Sequence, residues 1–144
     1  MTEQAIAYAR KNAPAFLEEL KALVRIPSIS TLPENRPDMQ RTAEWLADHL
    51  RRLGFGPVNI LPTAKHPVVY AEYLKAGKDR PTLLYYGHYD VQPPDPLNLW
   101  KTPPFEPTIV GENMFGRGAS DMKGQLVAFL EALESMAHSG GIPV

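Results

Sequence analysis

The sequence of 144 residues contains no cysteine. This absence excludes disulfide bonds, iron–sulfur clusters, zinc sites built on paired cysteines, and catalysis by a thiol nucleophile. Any metal ion that the chain binds must therefore be held by His, Asp or Glu side chains.

The sequence also lacks an excess of either charge and any long hydrophobic run. Fifteen Lys and Arg residues against 16 Asp and Glu residues give a formal charge of −1, which offers no basic surface to nucleic acid and no attraction to anionic lipid. No apolar stretch reaches the length of a membrane span, and the N-terminal residues lack the continuous apolar core of a secretory signal. We therefore expect a cytoplasmic protein whose partners are neither nucleic acids nor membranes.

Proline, in contrast, is abundant, and six of the 15 prolines fall within residues 93–107. The fixed φ angles and missing N–H donors of these prolines exclude a helix interior or a central strand. The same stretch carries large apolar side chains, which are Leu97, Leu99, Trp100 and Phe105. The sequence therefore predicts an ordered loop that packs against the domain and forms a wall beside a site.

The remaining pattern is that of one globular domain, with 44% apolar and 22% charged residues. Apolar residues at helical spacing predict three helices, over residues 2–24, 38–53 and 122–137. Pro14 favours a split in the first helix, so either one helix or two shorter ones fit this segment. Asp38 is the predicted N-cap of the helix over residues 38–53. Short β-branched and aromatic runs predict neighbouring strands, at residues 57–63, 67–74 and 82–86. This order predicts an α/β layer architecture.

Two polar side chains follow directly on the last of these strands. His88 and Asp90 come after Gly87, and at the two-residue period of a strand they point to the same side. Strand ends in open α/β sheets are where ligands bind, and a carboxylate beside a histidine can orient the imidazole for a metal ion. The alternative is a solvated turn in which the histidine has no role.

A glycine-rich stretch, GRGASDMKG, places Asp121 at the entrance of the last helix. Asp121 or Ser120 could simply cap this helix, since both residue types do so in most proteins. A phosphate cradle is disfavoured, because the stretch lacks the Lys-Ser/Thr of a P-loop and the third glycine of the dinucleotide pattern. Neither a GxSxG elbow nor an HExxH helix occurs in the sequence.

Taken together and in order, the motifs YYGHYDVQP, LWKTPPFEPTI and GRGASDMKG carry a family resemblance, supported by the opening LKALVRIPSIS and by AEWLADHLRRLGF. The chain resembles the co-catalytic zinc peptidases and deacylases. This family includes carnosinase-like dipeptidases, glutamate carboxypeptidase, aminoacylase and succinyl-diaminopimelate desuccinylase. The form HYDVQP is most similar to its dipeptidase branch.

The resemblance implies a role for each of three residues. His88 would be a ligand of one zinc ion, Asp121 would bridge two zinc ions, and Asp90 would be the catalytic-site carboxylate that orients His88. Manganese or cobalt would suit the same ligands. The implied fold is the N-terminal part of a zinc-peptidase catalytic domain, an α/β structure with helices layered on a mixed sheet, and residues 1–144 would form this portion.

The sequence also departs from the family pattern. The family's Glu-Glu pair on a strand after the last helix, which supplies a general base and a ligand, is absent, as are the later ligands and the lid or dimerisation domain. The adjacent pair Glu18-Glu19 lies in the first helix, where a solvated face is expected. The resemblance therefore implies part of a longer hydrolase, inactive by itself.

The longer enzyme would cleave dipeptides, short peptides or N-acyl amino acids, and would form a homodimer through a domain outside this chain. The alternative is a noncatalytic module of 144 residues that binds a metal ion or another ligand.

Overall fold

Three α-helices, two single-turn 3-10 helices and two small antiparallel sheets form the secondary structure of residues 2–144, the part of the chain that the computed structural model describes. The α-helices are α1 (Thr2–Val24), α2 (Arg36–Arg52) and α3 (Lys123–Ala137). The strands are β1 (Val58–Leu61), β2 (Val68–Ala71), β3 (Thr108–Val110) and β4 (Asn113–Phe115). Among these helices we find none with the length and apolar character that crossing a membrane requires.

Helix α1 continues through Pro14 without a break. Proline removes one backbone hydrogen bond from a helix interior and crowds the preceding turn. Contacts with α3 lie on both sides of this position: the Tyr8 hydroxyl donates to Glu134, and Leu23 packs against Val127. Because both halves of α1 are held on the same partner helix, the proline does not divide the helix into two pieces.

Helix α2 begins at Arg36, two residues before the predicted cap at Asp38. Pro37 suits the first turn of a helix because its missing N–H has no partner there in any case. The Asp38 side chain instead accepts hydrogen bonds from Asn35 and Arg41. The predicted apolar face is confirmed, since Met39 and other residues at helical spacing are buried on the side facing β1 and β2.

The hydrophobic core lies where the end of α1 meets α3. Leu23, Ile26 and Val127 form its buried cluster, with Leu20 and Trp45 packed against it. Each fully buried aliphatic side chain of this kind contributes about 1.5–3 kcal/mol of transfer free energy. This cluster fixes α1 against the first half of α3, which is the region next to Asp121.

Two of the predicted strands form the first sheet, in shorter versions than expected. Strands β1 and β2 pair antiparallel, with Val58 opposite Ala71. The second sheet was not predicted: β3 and β4 form a hairpin of three residues in each strand, joined through Gly111, whose φ is +61°. Strands this short leave almost no periodic signal in the sequence.

The third predicted strand, at residues 82–86, is an extended segment that belongs to neither sheet of the described residues. Leu84 and Tyr86 are 88% and 85% exposed, so its apolar side chains do not face a packed layer. The Tyr85 ring stacks on Phe129 of α3 at a centroid distance of 3.7 Å. The segment is therefore held by side-chain contacts to α3, and a strand needs a hydrogen-bonded neighbour that it does not have here.

The proline-rich loop at residues 93–107 is tied to the chain that follows it. The Trp100 indole N–H donates to the carbonyl of Pro94 at 2.8 Å, and the Arg117 guanidinium lies over the Trp100 ring at 5.1 Å. Arg117 also donates to the carbonyl of Pro93. The predicted packing is wrong for Leu97 and Leu99, which are 60% and 73% exposed. The loop is anchored by one aromatic side chain and one arginine, without the two leucines.

We expect the substitution Trp100→Ala to release this loop, because it removes the ring that Arg117 covers. Chymotrypsin should then cleave after the exposed Leu97 or Leu99 about tenfold faster than in the unmodified chain, as a change of roughly 1.4 kcal/mol in local opening would give. Limited proteolysis followed by mass spectrometry measures this rate. Asn98→Ala, an exposed change in the same loop, is the matched control, and equal cleavage of the two variants would contradict the anchoring role.

Candidate metal centre

The loop after α1 holds the end of the extended segment that carries His88 and Asp90. The Val91 amide donates to the carbonyl of Ser28 at 2.9 Å, and the Ser28 hydroxyl donates to the carbonyl of Tyr89 at 2.7 Å. Ile29 and Val91 form a parallel bridge. Since Ser28 is fully buried, these bonds are shielded from water and fix the backbone on both sides of Asp90.

His88 and Asp90 lie side by side, as their spacing predicts. Oδ1 of Asp90 is 3.0 Å from Nδ1 of His88, and the other carboxylate oxygen accepts a hydrogen bond of 2.5 Å from the Ser30 hydroxyl. The His88 amide donates to the sulfur of Met122. The imidazole plane and the Nδ1 side of the ring are therefore fixed by neighbours, and only Nε2 faces outward.

Asp121 meets that outward nitrogen. Its Oδ1 lies 3.0 Å from Nε2 of His88, although 33 residues separate the two along the chain. The carboxylate does not cap α3, because the residue at the N-cap position is Met122 and no side chain caps the helix there. The side chain of Asp121 is 87% exposed, which leaves its remaining oxygen open to a ligand. The predicted convergence of His88, Asp90 and Asp121 is confirmed, and we call this arrangement the Asp90–His88–Asp121 triad.

The two carboxylates control the protonation of the imidazole between them. Partial burial lowers the pKa of His88, but hydrogen bonds to Asp121 and Asp90 outweigh this effect and raise the pKa above its ordinary value. The same negative charges that hold a proton on the ring favour a divalent cation in its place. The triad thus presents an electrostatic environment that favours a cation.

Lys123 was not identified from the sequence, although it follows Asp121 by two residues. Its side chain is fully buried, and Nζ donates to the carbonyls of Leu23 at 3.0 Å and Ile26 at 2.6 Å. Burial lowers the pKa of Lys123 to about 7. These bonds tie the first turn of α3 to the end of α1, and so place Asp121 relative to the loop that holds Asp90. The sequence signal that could have pointed to its burial was a lysine at a helix start, between the apolar Met122 and Gly124.

The donor set of the triad fits zinc. Imidazole nitrogen and carboxylate oxygen suit zinc, manganese and cobalt. Metal-bound histidines usually donate their second N–H to a carboxylate, and Asp90 stands in that position, 3.0 Å from Nδ1 of His88. The 3.0 Å between the facing atoms of His88 and Asp121 is close to the separation of about 3.3 Å expected for two ligands of one tetrahedral zinc ion.

The prediction of a solvated face holds for only one of the two adjacent glutamates in α1. Glu18 is exposed and pairs with Lys21. Glu19 turns inward, and its Oε2 lies 3.1 Å from Nδ1 of the buried His49. Helical spacing alone could not distinguish the two, because they flank the boundary of the apolar face.

Comparison with known proteins identifies relatives for nearly the whole chain. A family model described as Peptidase family M20/M25/M40 matches residues 84–143. A Cys-Gly metallodipeptidase of Candida albicans is 36% identical over 135 residues, which are 85% of this chain and 28% of that protein. A succinyl-diaminopimelate desuccinylase of Delftia acidovorans is 37% identical over 121 residues, covering 82% of this chain and 30% of its own.

The fold is also that of a solved relative. The crystal structure of human carnosine dipeptidase 1 superposes with a TM-score of 0.89 at 30% identity, over 99% of this chain and 32% of that one. The α/β fold class predicted from the sequence is thereby confirmed. The chain spans 28% to 32% of the length of these three relatives. The chain is thus a relative of peptidase family M20/M25/M40, whose family model it matches over residues 84–143.

Proposed function

We propose that the chain is the N-terminal portion of the catalytic domain of a metal-dependent hydrolase of peptide or N-acyl amide bonds, with dipeptides as the preferred substrates. The observation that carries the proposal is the Asp90–His88–Asp121 triad, an exposed pair of facing donors with a carboxylate behind the imidazole. The names of the relatives agree with it, since they include a Cys-Gly metallodipeptidase and a carnosine dipeptidase.

In this proposal His88 and Asp121 would hold the metal, which would be zinc, or manganese or cobalt in its place, and Asp121 would serve both ions of a two-metal site. Bound there, such a pair of ions supplies a Lewis acid for the amide carbonyl and lowers the pKa of a water molecule. Asp90 keeps the proton on Nδ1 of His88, so that Nε2 presents its lone pair outward. Ser30 holds the far oxygen of Asp90 and prevents the carboxylate from turning away.

The other ligands and the general base would come from a longer protein, consistent with the share of its relatives that the chain spans. A homodimer formed through a further domain and a cytoplasmic location complete the proposal, and both stay predictions.

We expect residues 1–144 alone to hydrolyse no dipeptide, and to hold zinc only weakly through His88 and Asp121. A catalytic zinc ion usually takes three protein ligands and a water molecule, and a paired site needs more than these two side chains supply. The attacking water would also lack its proton acceptor. The measurement is a dipeptide hydrolysis assay with zinc, run on this chain and on the longer protein, with calorimetry of zinc binding before and after the substitution Asp121→Asn.

Dipeptide hydrolysis by the longer protein, without hydrolysis by residues 1–144, supports the proposal. Turnover by the chain alone, or zinc affinity of the longer protein that does not change in Asp121→Asn, would contradict it. If the longer protein binds zinc through Asp121 and hydrolyses nothing, the noncatalytic metal-binding module is the correct interpretation.

A further inference from the structure

A second group of potential metal ligands lies where the three helices meet, on elements separate from the extended segment of the triad. Glu19 on α1, His49 on α2 and Glu131 on α3 each place one ligand atom so that all three atoms lie within 4.8 Å of one another. His49 is 1% exposed and Glu131 is 6% exposed. We call these residues the three-helix cluster.

Several polar atoms of the three-helix cluster are buried without a hydrogen-bond partner within residues 2–144. Both carboxylate oxygens of Glu131 and Nε2 of His49 are buried in this state, and Oε2 of Glu19 has only its 3.1 Å contact with Nδ1 of His49. Buried polar atoms are almost always paired, and an unpaired carboxylate is among the most unfavourable groups to bury. Unpaired buried atoms on residues that each bring one ligand atom within 4.8 Å of the others indicate a site shaped for a shared group.

The charges around the cluster favour a cation as that group. Burial and the neighbouring Glu19 raise the pKa of Glu131, while burial lowers the pKa of His49, so the imidazole is held neutral beside two carboxyl groups. Glu134 lies close enough to add to the negative potential. One positive group opposes this: Arg52, whose terminal nitrogen is 3.1 Å from Nδ1 of His49. Arg52 itself is an exposed residue.

We propose that the three-helix cluster is a structural zinc site, with Glu19, His49 and Glu131 as its protein ligands. One imidazole and two carboxylates are ligands that zinc accepts in tetrahedral sites. The separation of 3.1 Å between Nδ1 of His49 and Oε2 of Glu19 is close to the roughly 3.3 Å between two ligands of one such ion. A bound ion clamps α1, α2 and α3 together, and its presence does not depend on the proposed hydrolase activity.

The competing explanation is a proton shared between Glu19 and Glu131. The substitution Glu131→Gln distinguishes the zinc site from the shared proton. Glutamine has the shape of a protonated glutamic acid, so the variant folds under either explanation, and its melting temperature without zinc checks this. The full chain carrying Asp121→Asn, which weakens the triad, is compared with the same chain carrying both substitutions. Zinc alone is the probe, and the zinc content after dialysis, the calorimetric affinity and the melting temperature with and without zinc are measured.

We expect the Asp121→Asn chain to keep one zinc ion and to gain melting temperature with zinc, and the added Glu131→Gln to weaken that binding at least about 100-fold. Arg52→Gln should tighten binding, because it removes the opposing cation. Glu18→Gln, an exposed change beside Glu19, is the matched control and should change nothing. Equal zinc content and equal thermal response with and without Glu131→Gln overturn the proposal and leave the cluster as a shared-proton pair.

Discussion

Replacing Asp121 with alanine is expected to lower dipeptide hydrolysis by the longer protein at least about 1,000-fold, under the function proposed here. The substitution removes a carboxylate that faces Nε2 of His88 and is open to solvent on its other oxygen. If Asp121 served only the helix, its loss would cost about 1 kcal/mol of stability and leave the rate of the folded enzyme unchanged. Since no side chain caps α3, even that loss of stability should be absent in the metal-free protein.

The measurement combines steady-state kinetics, zinc content and the melting temperature of the metal-free protein. The control is Asp79→Ala, which changes an exposed aspartate far from Asp121 in the sequence and should leave activity normal. A folded Asp121→Ala protein with near-normal turnover would show that the triad does not hold the catalytic metal.

Replacing Lys123 with methionine is expected to lower the free energy of unfolding by about 3–5 kcal/mol at pH 9 and by less at pH 7. Methionine fills most of the space but leaves the carbonyls of Leu23 and Ile26 without their donor. The dependence on pH follows from the lowered pKa of Lys123, about 7 in the folded state against 10.5 for an ordinary lysine. Between these values the unfolded chain binds a proton that the folded chain does not, so the contribution of Lys123 to stability rises with pH and is lost as pH falls toward 7.

Urea unfolding of both proteins at pH 7 and pH 9 measures this difference. The exposed Lys78→Met is the matched control, since it removes the same charge without removing a buried hydrogen bond. A loss of stability that is the same at both pH values would show that Lys123 stays fully charged in the folded state.

Local patterns predicted much of the fold and the positions of the triad. Apolar periodicity located all three helices, and β-branched runs located the strands that became β1 and β2. The period of an extended chain placed His88 and Asp90 on one side, and the meeting of a strand end with a helix start brought Asp121 to them. Each of these inferences depends on neighbours within a few residues or on a general rule of α/β architecture.

The features that the sequence did not predict depend on contacts between distant parts of the chain. Glu18 and Glu19 are chemically identical neighbours, and only the approach of α2 turns one of them toward His49. Lys123 is buried because two carbonyls at the end of α1 face its amine. Residues 82–86 have the composition of a strand, but composition does not supply the neighbouring strand that the assignment requires.

The long separations along the chain also set an order in which the molecule can assemble. Ser30 and Asp90 are 60 residues apart, and Leu23 and Lys123 are 100 residues apart. Contacts between such distant residues form slowly, because the intervening chain must lose entropy before any bond rewards the loss. Helices α1 and α2 and the β1–β2 pair can form from nearby contacts while the chain is still being synthesised. The triad cannot close until Asp121 has emerged from the ribosome, so until then the nascent chain holds the loop after α1 without the partners that later cover it.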